Sequence, residues 1–178
     1  MSKVKSGSKE TDFYKLRILY TDTAEYAPYS NTDRPKINDA FEMLSKQQYE
    51  KCLSVSENVL QRNYVNLWAH YLSIACNFEL ERHEQGRFHQ FVLNGLMDSI
   101  GHSGNGRAPE SAFTTISTSE LKAFLQLGGL EVIRQSLISE NGKPYDLMRV
   151  KNPKTEDEFD LYFDISIQMS KGFGFLEK

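Results

Sequence analysis

The chain has 178 residues, 39% of them hydrophobic and 25% charged, which is close to the globular average and far from the composition of disordered proteins. The formal net charge of −3 excludes a strongly basic surface, so nucleic acid is a poor candidate partner. No apolar stretch approaches the ~20 residues that span a bilayer, and residues 1–10 lack the apolar run of a signal peptide. We therefore expect a cytoplasmic protein without cofactors, with a periplasmic location as the alternative if an export signal has been removed.

The hydrophobic pattern changes from a helical period to an alternating one along the chain, which predicts the α+β class. We expect a single domain over residues 11–166, with a helical part at 11–100, a loop and capped helix at 101–129, and a β-meander at 130–167. Residues 1–10 are predicted to be a disordered tail, and residues 168–178 a C-terminal tail. The meander has one apolar face, so we expect it to pack against the helices.

The two cysteines, Cys52 and Cys76, both fall within apolar helical patterns. Free cysteine behaves as a small apolar residue, so this position predicts two reduced core side chains. A disulfide and a reactive thiol are the alternatives.

Five helices are predicted in the first part of the chain. The first begins at Thr11 or Asp12, either of which can cap it, and residues 26–35 then form a loop rich in proline and small polar residues. The second begins at Pro35, whose fixed φ suits a first helical position. The apolar stripes of the first two helices are Phe13, Leu16 and Tyr20, and then Ile37, Ala40, Phe41 and Leu44.

The third predicted helix carries apolar residues from Tyr49 to Leu60, and the fourth begins after Asn66 as its N-cap. Trp68 lies on an apolar stripe of the fourth helix, which indicates a core position. Gly86 is expected to separate the fourth helix from the fifth, which runs to Ile100.

A loop is predicted at residues 101–112 and a short strand at 113–116. Ser117 and Glu120 then form a capping box, because each side chain can satisfy a free N–H of the first helical turn. Gly128 and Gly129 can take the left-handed conformation that ends this helix.

Three strands are predicted at residues 132–140, 143–151 and 158–167. Asn141-Gly142 between the first two indicates a type I′ hairpin turn. This turn sets Arg134 opposite Arg149, and like charges that face each other are destabilising. Asp160 on the third strand is expected to lie beside Arg149 and to relieve the repulsion.

The helical pairs resemble tetratricopeptide hairpins, because Tyr49, Cys52 and Val59 match that repeat's aromatic and small positions. The usual Leu-Gly pair is missing, and Tyr64 stands where a proline is usual. Only about one and a half units are present, fewer than the roughly three that a free-standing array needs. The resemblance implies antiparallel helical hairpins, and we expect the antiparallel three-stranded β-meander to pack against them and cover their exposed face.

A second resemblance covers most of residues 13–166 and rests on short segments spread along the chain. These are Leu19-Tyr20-Thr21, Tyr26-Ala27-Pro28-Tyr29, Asn63-Tyr64-Val65, Gly95-Leu96-Met97-Asp98-Ser99-Ile100, Ser103-Gly104-Asn105-Gly106 through Ala112-Phe113, and Gln135-Ser136-Leu137 leading into Tyr145-Asp146-Leu147-Met148. Together they resemble an uncharacterised bacterial family, a domain of unknown function. The resemblance implies a helical-plus-β fold and no activity, and it implies relatives that often carry an export signal.

Three polar groupings suggest catalysis or metal binding, and for each we favour a structural role. Ser103 lacks the Gly-x-Ser-x-Gly context of a nucleophile elbow, so residues 101–106 are predicted to be a helix-ending loop. The four histidines are 13, 6 and 13 residues apart, so no local metal pair forms, although they can still converge in space. The acidic residues at 156–164 lack the central glycine of a calcium loop and indicate a solvated hairpin tip.

The binding residues that we predict are mainly tyrosines, because tyrosine buries a large area at low entropic cost. They are Tyr20, Tyr26, Tyr29 and Arg107. The best-supported function is a non-enzymatic protein- or peptide-binding module of accessory or immunity type, with its groove between the helical pairs and the 26–35 loop.

Two alternatives stay open. One is a hydrolase or metal-dependent enzyme that uses the histidines and a nearby carboxylate, namely His70, His83, His89, His102 and Asp98. The other is a small-ligand-binding protein with a pocket between the sheet and the helices. No residue decides the oligomeric state, although the edges of a meander can pair between subunits.

Overall fold

The computed structural model describes residues 11–172, which divide into two compact units. The helical unit comprises residues 11–26 and 30–97 of the described chain. The sheet unit comprises residues 27–29 and 98–172. The predicted disordered tail, residues 1–10, lies outside the described residues.

The described chain is α+β, as predicted, with seven α-helices and four strands between residues 11 and 172. The helices are α1 (Phe13–Tyr20), α2 (Arg34–Ser45), α3 (Tyr49–Arg62), α4 (Leu67–Glu79), α5 (His83–Gly101), α6 (Thr118–Leu127) and α7 (Ser166–Gly172). The strands are β1 (Phe113–Thr114), β2 (Glu131–Glu140), β3 (Lys143–Lys151) and β4 (Glu158–Asp164), and a 3₁₀ turn occupies Pro109–Ser111.

Three helices begin where their predicted caps stand. The Asp12 carboxylate accepts from the Lys15 N–H at 2.8 Å, and the Asn66 side chain accepts from the Ala69 N–H at 3.0 Å. Ser117 Oγ accepts from the Glu120 N–H at 3.1 Å. The Glu120 carboxylate accepts from the Ile116 N–H at 2.8 Å, one residue before the position that a capping box specifies. The three N-caps are confirmed, because each side chain reaches only one helical turn, whereas the Glu120 half of the predicted capping box bonds to an N–H outside that turn.

Helices α2, α3 and α4 pack on one another around the core of the helical unit. The prediction that Cys52 and Cys76 stay reduced is wrong. Their sulfurs are bonded, and the disulfide joins α3 to α4 across a sequence separation of 24 residues. Both cysteines are fully buried, and each lies on the apolar stripe by which its helix faces the other.

The turns between α2 and α3 and between α4 and α5 depend on left-handed residues that are not glycine. Gln47 has φ of 58° and Glu81 has φ of 57°. After each of them, the next N–H bonds back to the preceding helix, Gln48 to Met43 O at 2.8 Å and Arg82 to Asn77 O at 2.8 Å. The prediction that Gly86 separates the two helices is therefore wrong. Gly86 lies inside α5, where a Cβ would come within 3.2 Å of the Phe78 ring.

The sheet has the strand order β1-β4-β3-β2. Strands β2, β3 and β4 form the predicted antiparallel meander. The short strand predicted at 113–116 is present as β1, and it makes the sheet four-stranded instead of the predicted three-stranded, because it pairs in parallel with β4, Phe113 opposite Phe163. Helix α6 packs on one face of the sheet, and their shared core is Leu121, Leu125, Met148, Val150, Leu161 and Phe163.

The hairpin between β2 and β3 has the predicted turn and register. Asn141 has φ of 53° and Gly142 has φ of 77°, the positive pair that a type I′ turn needs. Arg134 lies opposite Arg149, which in turn lies opposite Asp160. The Arg149 guanidinium is 3.5 Å from the Asp160 carboxylate and 3.3 Å from that of Glu158. The predicted relief of the like-charge pair is confirmed.

Strand β4 ends three residues before its predicted end. The Asp164 carboxylate accepts from the Ser166 N–H at 2.8 Å, and helix α7 begins there. The predicted C-terminal tail is therefore wrong for residues 168–172, which are helical, and residues 173–178 lie outside the described residues.

Candidate functional site

Three aromatic side chains from two helices meet at the surface of the helical unit. Phe41 of α2 lies edge-to-face with Trp68 of α4, with ring centroids 5.3 Å apart. Tyr71 contacts both rings, with centroids 5.7 Å from Trp68 and 6.2 Å from Phe41. We call Phe41, Trp68, Tyr71 and Phe78 the aromatic face, because Phe78 lies two helical turns beyond Tyr71 on the same side of α4.

The aromatic face borders the core instead of filling it. Phe41 and Trp68 pack on core residues while staying partly exposed, so the predicted core position of Trp68 is only partly correct. Tyr71 is 40% exposed and Phe78 is 37% exposed. Neighbours on the same helices, Ala40, Leu67 and Leu72, are buried and hold the backbone in place. Sequence reasoning missed this surface because Phe41 belongs to an ordinary apolar stripe.

The charged groups that flank the aromatic face already have partners. Glu42 pairs with Lys46 one turn along α2, and this hydrogen bond lowers the pKa of the Glu42 carboxyl. Glu79, next to Phe78, is hydrogen-bonded to Tyr49; the pKa of Tyr49 is raised, first by desolvation and then by this bond. The surface is therefore apolar at its centre, which suits an apolar or aromatic anchor, and its rim carries the Glu42–Lys46 ion pair and the hydrogen-bonded Glu79 carboxylate.

Of the predicted binding residues, the structure brings Tyr20 and Tyr26 together. Their rings pack edge-to-face with centroids 5.8 Å apart, and the Tyr20 hydroxyl donates to the Glu25 carbonyl at 3.3 Å. Burial, followed by the charges of Asp33 and Glu25, raises the pKa of Tyr20 to about 12. Tyr20 therefore stays a neutral hydroxyl at physiological pH.

Tyr29 and Arg107 belong to the sheet unit. Tyr29 lies on a segment fixed by the Thr118 N–H, which donates to the Pro28 carbonyl at 3.1 Å. The Tyr29 hydroxyl is 3.1 Å from the Met169 sulfur of α7, and its pKa is raised by burial and then by Asp146. The Arg107 guanidinium stacks 4.7 Å above the Phe159 ring, a cation–π arrangement.

Ser103 has a structural role in the loop that follows α5. Its hydroxyl donates to the Ile100 carbonyl at 2.6 Å and accepts from the Thr114 N–H at 2.8 Å. The hydroxyl thus links the end of α5 to β1, and neither of these two hydrogen bonds involves a histidine. The loop backbone at Gly104 also lies close to the backbone of the 3₁₀ turn, because a Cβ on Gly104 would lie 2.3 Å from the Ser111 carbonyl oxygen.

Two of the four histidines converge. His70 of α4 is fully buried, and its Nδ1 is 3.0 Å from His89 Nδ1 of α5. His70 Nε2 is 2.8 Å from the Tyr64 carbonyl, which can only accept, so Nε2 carries the His70 proton. His70 Nδ1 is then an acceptor, and His89 donates to it from Nδ1. The chain of contacts fixes both tautomers.

Both rings of this pair are neutral at physiological pH. Burial lowers the pKa of His70 to about 3, and the nearby His89 contributes in the same direction. Burial also lowers the pKa of His89 to about 4. His83 and His102 are exposed: the His83 ring lies tilted by 41° against the Phe78 ring, with centroids 5.8 Å apart, and His102 Nδ1 is 2.8 Å from the Asp98 carbonyl oxygen.

The described residues, 11–172, contain neither a metal-binding cluster nor a membrane-spanning helix. In that range no three histidine, cysteine or carboxylate side chains converge into a group able to hold a metal ion. The acidic residues at 156–164 are partly neutralised, since Glu156 pairs with Lys151, and Glu158 and Asp160 pair with Arg149. None of the helices in the same range has the length and apolar character needed to cross a bilayer.

Comparison with known proteins gives one match. The sequence model of a family described as Domain of unknown function (DUF4919) matches residues 6–172. No curated protein and no solved structure matches the chain. The resemblance to an uncharacterised domain family noted from the sequence is confirmed, and the family brings no activity with it.

Proposed function

The chain belongs to the DUF4919 family, whose function is unknown, and we propose from its geometry that it is a protein- or peptide-binding module. The binding surface in this proposal is the aromatic face of the helical unit. The observation that carries it is the contact of three aromatic rings from α2 and α4 at the surface, of which Tyr71 is exposed and Phe41 and Trp68 are partly exposed. Tryptophan and tyrosine dominate binding hot spots, because they bury large area with few torsions to fix.

The helix arrangement supports the same proposal. The left-handed residues Gln47 and Glu81, 34 residues apart, stand at equivalent turns, and 34 residues is the tetratricopeptide period. The hairpins α2–α3 and α4–α5 thus repeat at that interval, and the aromatic face lies on the first helix of each. Stacked helical hairpins use such continuous surfaces to hold extended or helical segments.

The partner in this proposal presents an apolar or aromatic side chain within a short segment. Glu42 and Lys46, beside Phe41, neutralise each other, so charge attraction contributes little to recognition at that end of the aromatic face. The residues predicted from the sequence, Tyr20, Tyr26, Tyr29 and Arg107, remain a second proposed surface. Tyr20 and Tyr26 are partly buried against each other, which leaves less of their area to a partner than Tyr71 offers.

We also propose that the chain works in an oxidising compartment and not in the cytoplasm. The disulfide between Cys52 and Cys76 supports this, because structural disulfides form and persist where thiols are not kept reduced. Thiol alkylation before and after reduction, followed by mass spectrometry of protein purified from cell fractions, tests it. Two alkylated cysteines in unreduced protein from its native compartment would overturn this location.

The experiment for the binding role is a peptide-display selection against the wild-type chain, followed by affinity measurement of the enriched peptides. We expect Tyr71→Ala and Phe78→Ala each to weaken an enriched peptide about tenfold, the loss of a typical hot-spot contact of about 1.4 kcal/mol. Tyr14→Ala and Leu19→Ala are the controls, because they remove large side chains of α1 that are at least as exposed as Tyr71 and Phe78. They should leave the affinity within about twofold.

A Tyr26→Ala/Tyr29→Ala variant separates the two surfaces. Loss of binding in this variant, with Tyr71→Ala unaffected, would transfer the site to the tyrosines predicted from the sequence. If the selection enriches no peptide beyond the level seen with a scrambled library, that result would count against a peptide-binding role altogether.

A further inference from the structure

Strand β2 is an exposed edge of the sheet. It stands last in the strand order, and among the residues that the structure describes no strand pairs with its outer side. Its side chains include Leu137, 65% exposed, and Ile133, 50% exposed. A ten-residue edge strand with exposed apolar side chains is a template for pairing with another strand.

The charged side chains along β2 favour a partner strand that places acidic residues opposite the basic residues of β2, and basic residues opposite its acidic ones. Arg134 faces Arg149 within its own sheet, and Arg149 already takes Glu158 and Asp160 as partners. Within residues 11–172, Arg134 forms no ion pair of its own. A carboxylate on the outer side of Arg134 would relieve the like-charge contact.

We propose that β2 pairs antiparallel with β2 of a second copy of this chain, with the two-fold axis passing by Leu137. In this register Arg134 of each copy lies opposite Glu140 of the other, so two pairs of opposite charge form at once. Leu137 lies opposite itself, where directly opposed side chains are about 5 Å apart and can pack. The interface is isologous and closes as a dimer.

The geometry of β2 favours this register. The pairing of β2 with β3 shifts between Val132 and Arg134, so the regular part of the strand begins at Arg134. The Asn141-Gly142 turn ends it after Glu140. A register centred on Leu137 uses that whole segment, residues 134–140. Shifting the centre back to the middle of β2 would set Glu131 opposite Glu140, which is repulsive.

The side chains also fall on matching faces. Residues directly opposite in an antiparallel pair lie on the same face of the sheet, and Arg134 and Glu140 share one face by their even spacing. Leu137 lies on the other face, opposite Asp146 of β3. The Leu137 contact and the charge pairs therefore form on opposite faces without competing for space.

Analytical ultracentrifugation of the full chain over a range of concentrations, at low salt to limit screening, tests the proposal. We expect a concentration-dependent dimer of the wild type. Arg134→Glu alone and Glu140→Arg alone should each weaken dimerisation about tenfold, because each turns two attractive pairs into two repulsive ones. An equimolar mixture of the two variants should dimerise as the wild type does, since both pairs regain opposite charges in the mixed dimer.

Two controls keep the result specific to this register. Glu131→Arg reverses a charge on the same strand outside the paired segment and should leave the dimer unchanged. Leu137→Lys should abolish it by placing two ammonium groups at the axis. Each variant is first checked for a native far-UV circular dichroism spectrum and a cooperative unfolding transition. A wild-type monomer at every concentration, or a mixture no more dimeric than its two components, overturns the proposal.

Discussion

The two units of the chain are built from contacts of different sequence range. In the helical unit the central helices pack on their neighbours in sequence, α2 on α3 and α3 on α4, and α1 makes a contact distant in sequence, through Phe13 and Phe91 of α5. In the sheet unit the 113–114 strand pairs with the 158–164 strand, across two other strands and a helix. The buried histidine pair and the disulfide of the helical unit therefore lie between helices adjacent in sequence, whereas the structure of the sheet unit depends on the register in which its strands pair. We therefore expect the stability of the two units to respond differently to acid, to reduction of the disulfide and to substitution of glycine by alanine.

Acid should have the largest effect, and it should begin in the helical unit. His70 and His89 are neutral when folded, with pKa values of about 3 and about 4, whereas unfolded histidine titrates near 6.5. The unfolded chain therefore binds more protons, and stability is lost as the pH falls from about 6.5 towards about 4. We expect a loss on the order of 4 kcal/mol, measured by urea unfolding at pH 7, 5.5 and 4.5.

His89→Gln tests the source of that loss. Glutamine can still donate to His70 Nδ1 but does not titrate, so the variant should lose less stability between pH 7 and pH 4.5 than the wild type. His83→Gln removes an exposed histidine and should leave the pH dependence as it is. Equal pH dependence in all three proteins would show that the buried pair is not the cause.

A buried carboxyl in the sheet unit should respond in the opposite direction. Burial raises the pKa of Asp146, while its hydrogen bond with Gln135 acts against the shift. The folded state thus takes up this proton at a higher pH than the unfolded state, and the contribution to stability grows as the pH falls through that range. Carbonyl-region infrared or NMR titration of Asp146, with Asp146→Asn as the blank, should show a midpoint above 3.8, the ordinary value.

Reduction of the disulfide comes next in size. The bond between Cys52 and Cys76 spans 24 residues, for which chain-entropy arguments give about 3 kcal/mol. Protein reduced in denaturant and refolded with reductant should lose that stability, and the amides of α3 and α4 should exchange faster. Those of β3 and β4 should keep their exchange rates. A Cys52→Ala/Cys76→Ala variant that still responds to reductant would show that the effect lies elsewhere.

Two glycine substitutions compare the units at close contacts. A Cβ on Gly104 would lie 2.3 Å from a backbone carbonyl, which cannot move alone, and we expect Gly104→Ala to cost about 3 kcal/mol. A Cβ on Gly95 would lie 2.1 Å from the Phe13 ring, which can turn, and about 1–2 kcal/mol is expected for Gly95→Ala. Gly101→Ala meets nothing within 4 Å and serves as the control. Thermal unfolding of the three variants should give this order, and a reversed order for Gly104 and Gly95 would contradict it.

The helix caps should give the smallest difference. Ser117→Ala removes the acceptor of the Glu120 N–H in a partly buried cap and should cost about 1 kcal/mol. Asp12→Ala removes an exposed cap of α1 and should cost less. Urea midpoints of the two variants and the wild type measure both effects, and a larger cost at Asp12 would be the contrary result.

The same contrast explains what the sequence could predict. Features that depend on groups within a few residues, or on one tight turn, can be predicted from the sequence and are found in the structure. They are the caps at Asp12, Asn66 and Ser117, the Asn141-Gly142 turn and the Arg134–Arg149 register. The parallel β1–β4 pair involves only two residues of each strand, and their side chains carry no signal of direction.

Other features depend on packing that no local pattern records. Gln47 and Glu81 take left-handed φ because the helices on either side fix the turn, and their side chains give no sign of it. The side chain of Arg17 is fully buried on α1, where arginine would ordinarily be exposed. The His70–His89 contact and the disulfide likewise join helices whose relative rotation the sequence leaves open.

Hydrogen exchange with an enriched peptide bound tests the proposed role of the aromatic face most directly. We expect the amides of α2 around Phe41 and of α4 from Trp68 to Phe78 to gain protection when the peptide is added, and the gain to disappear in Tyr71→Ala. Protection confined to residues 20–29 or to the sheet unit, with α2 and α4 unchanged, would contradict it.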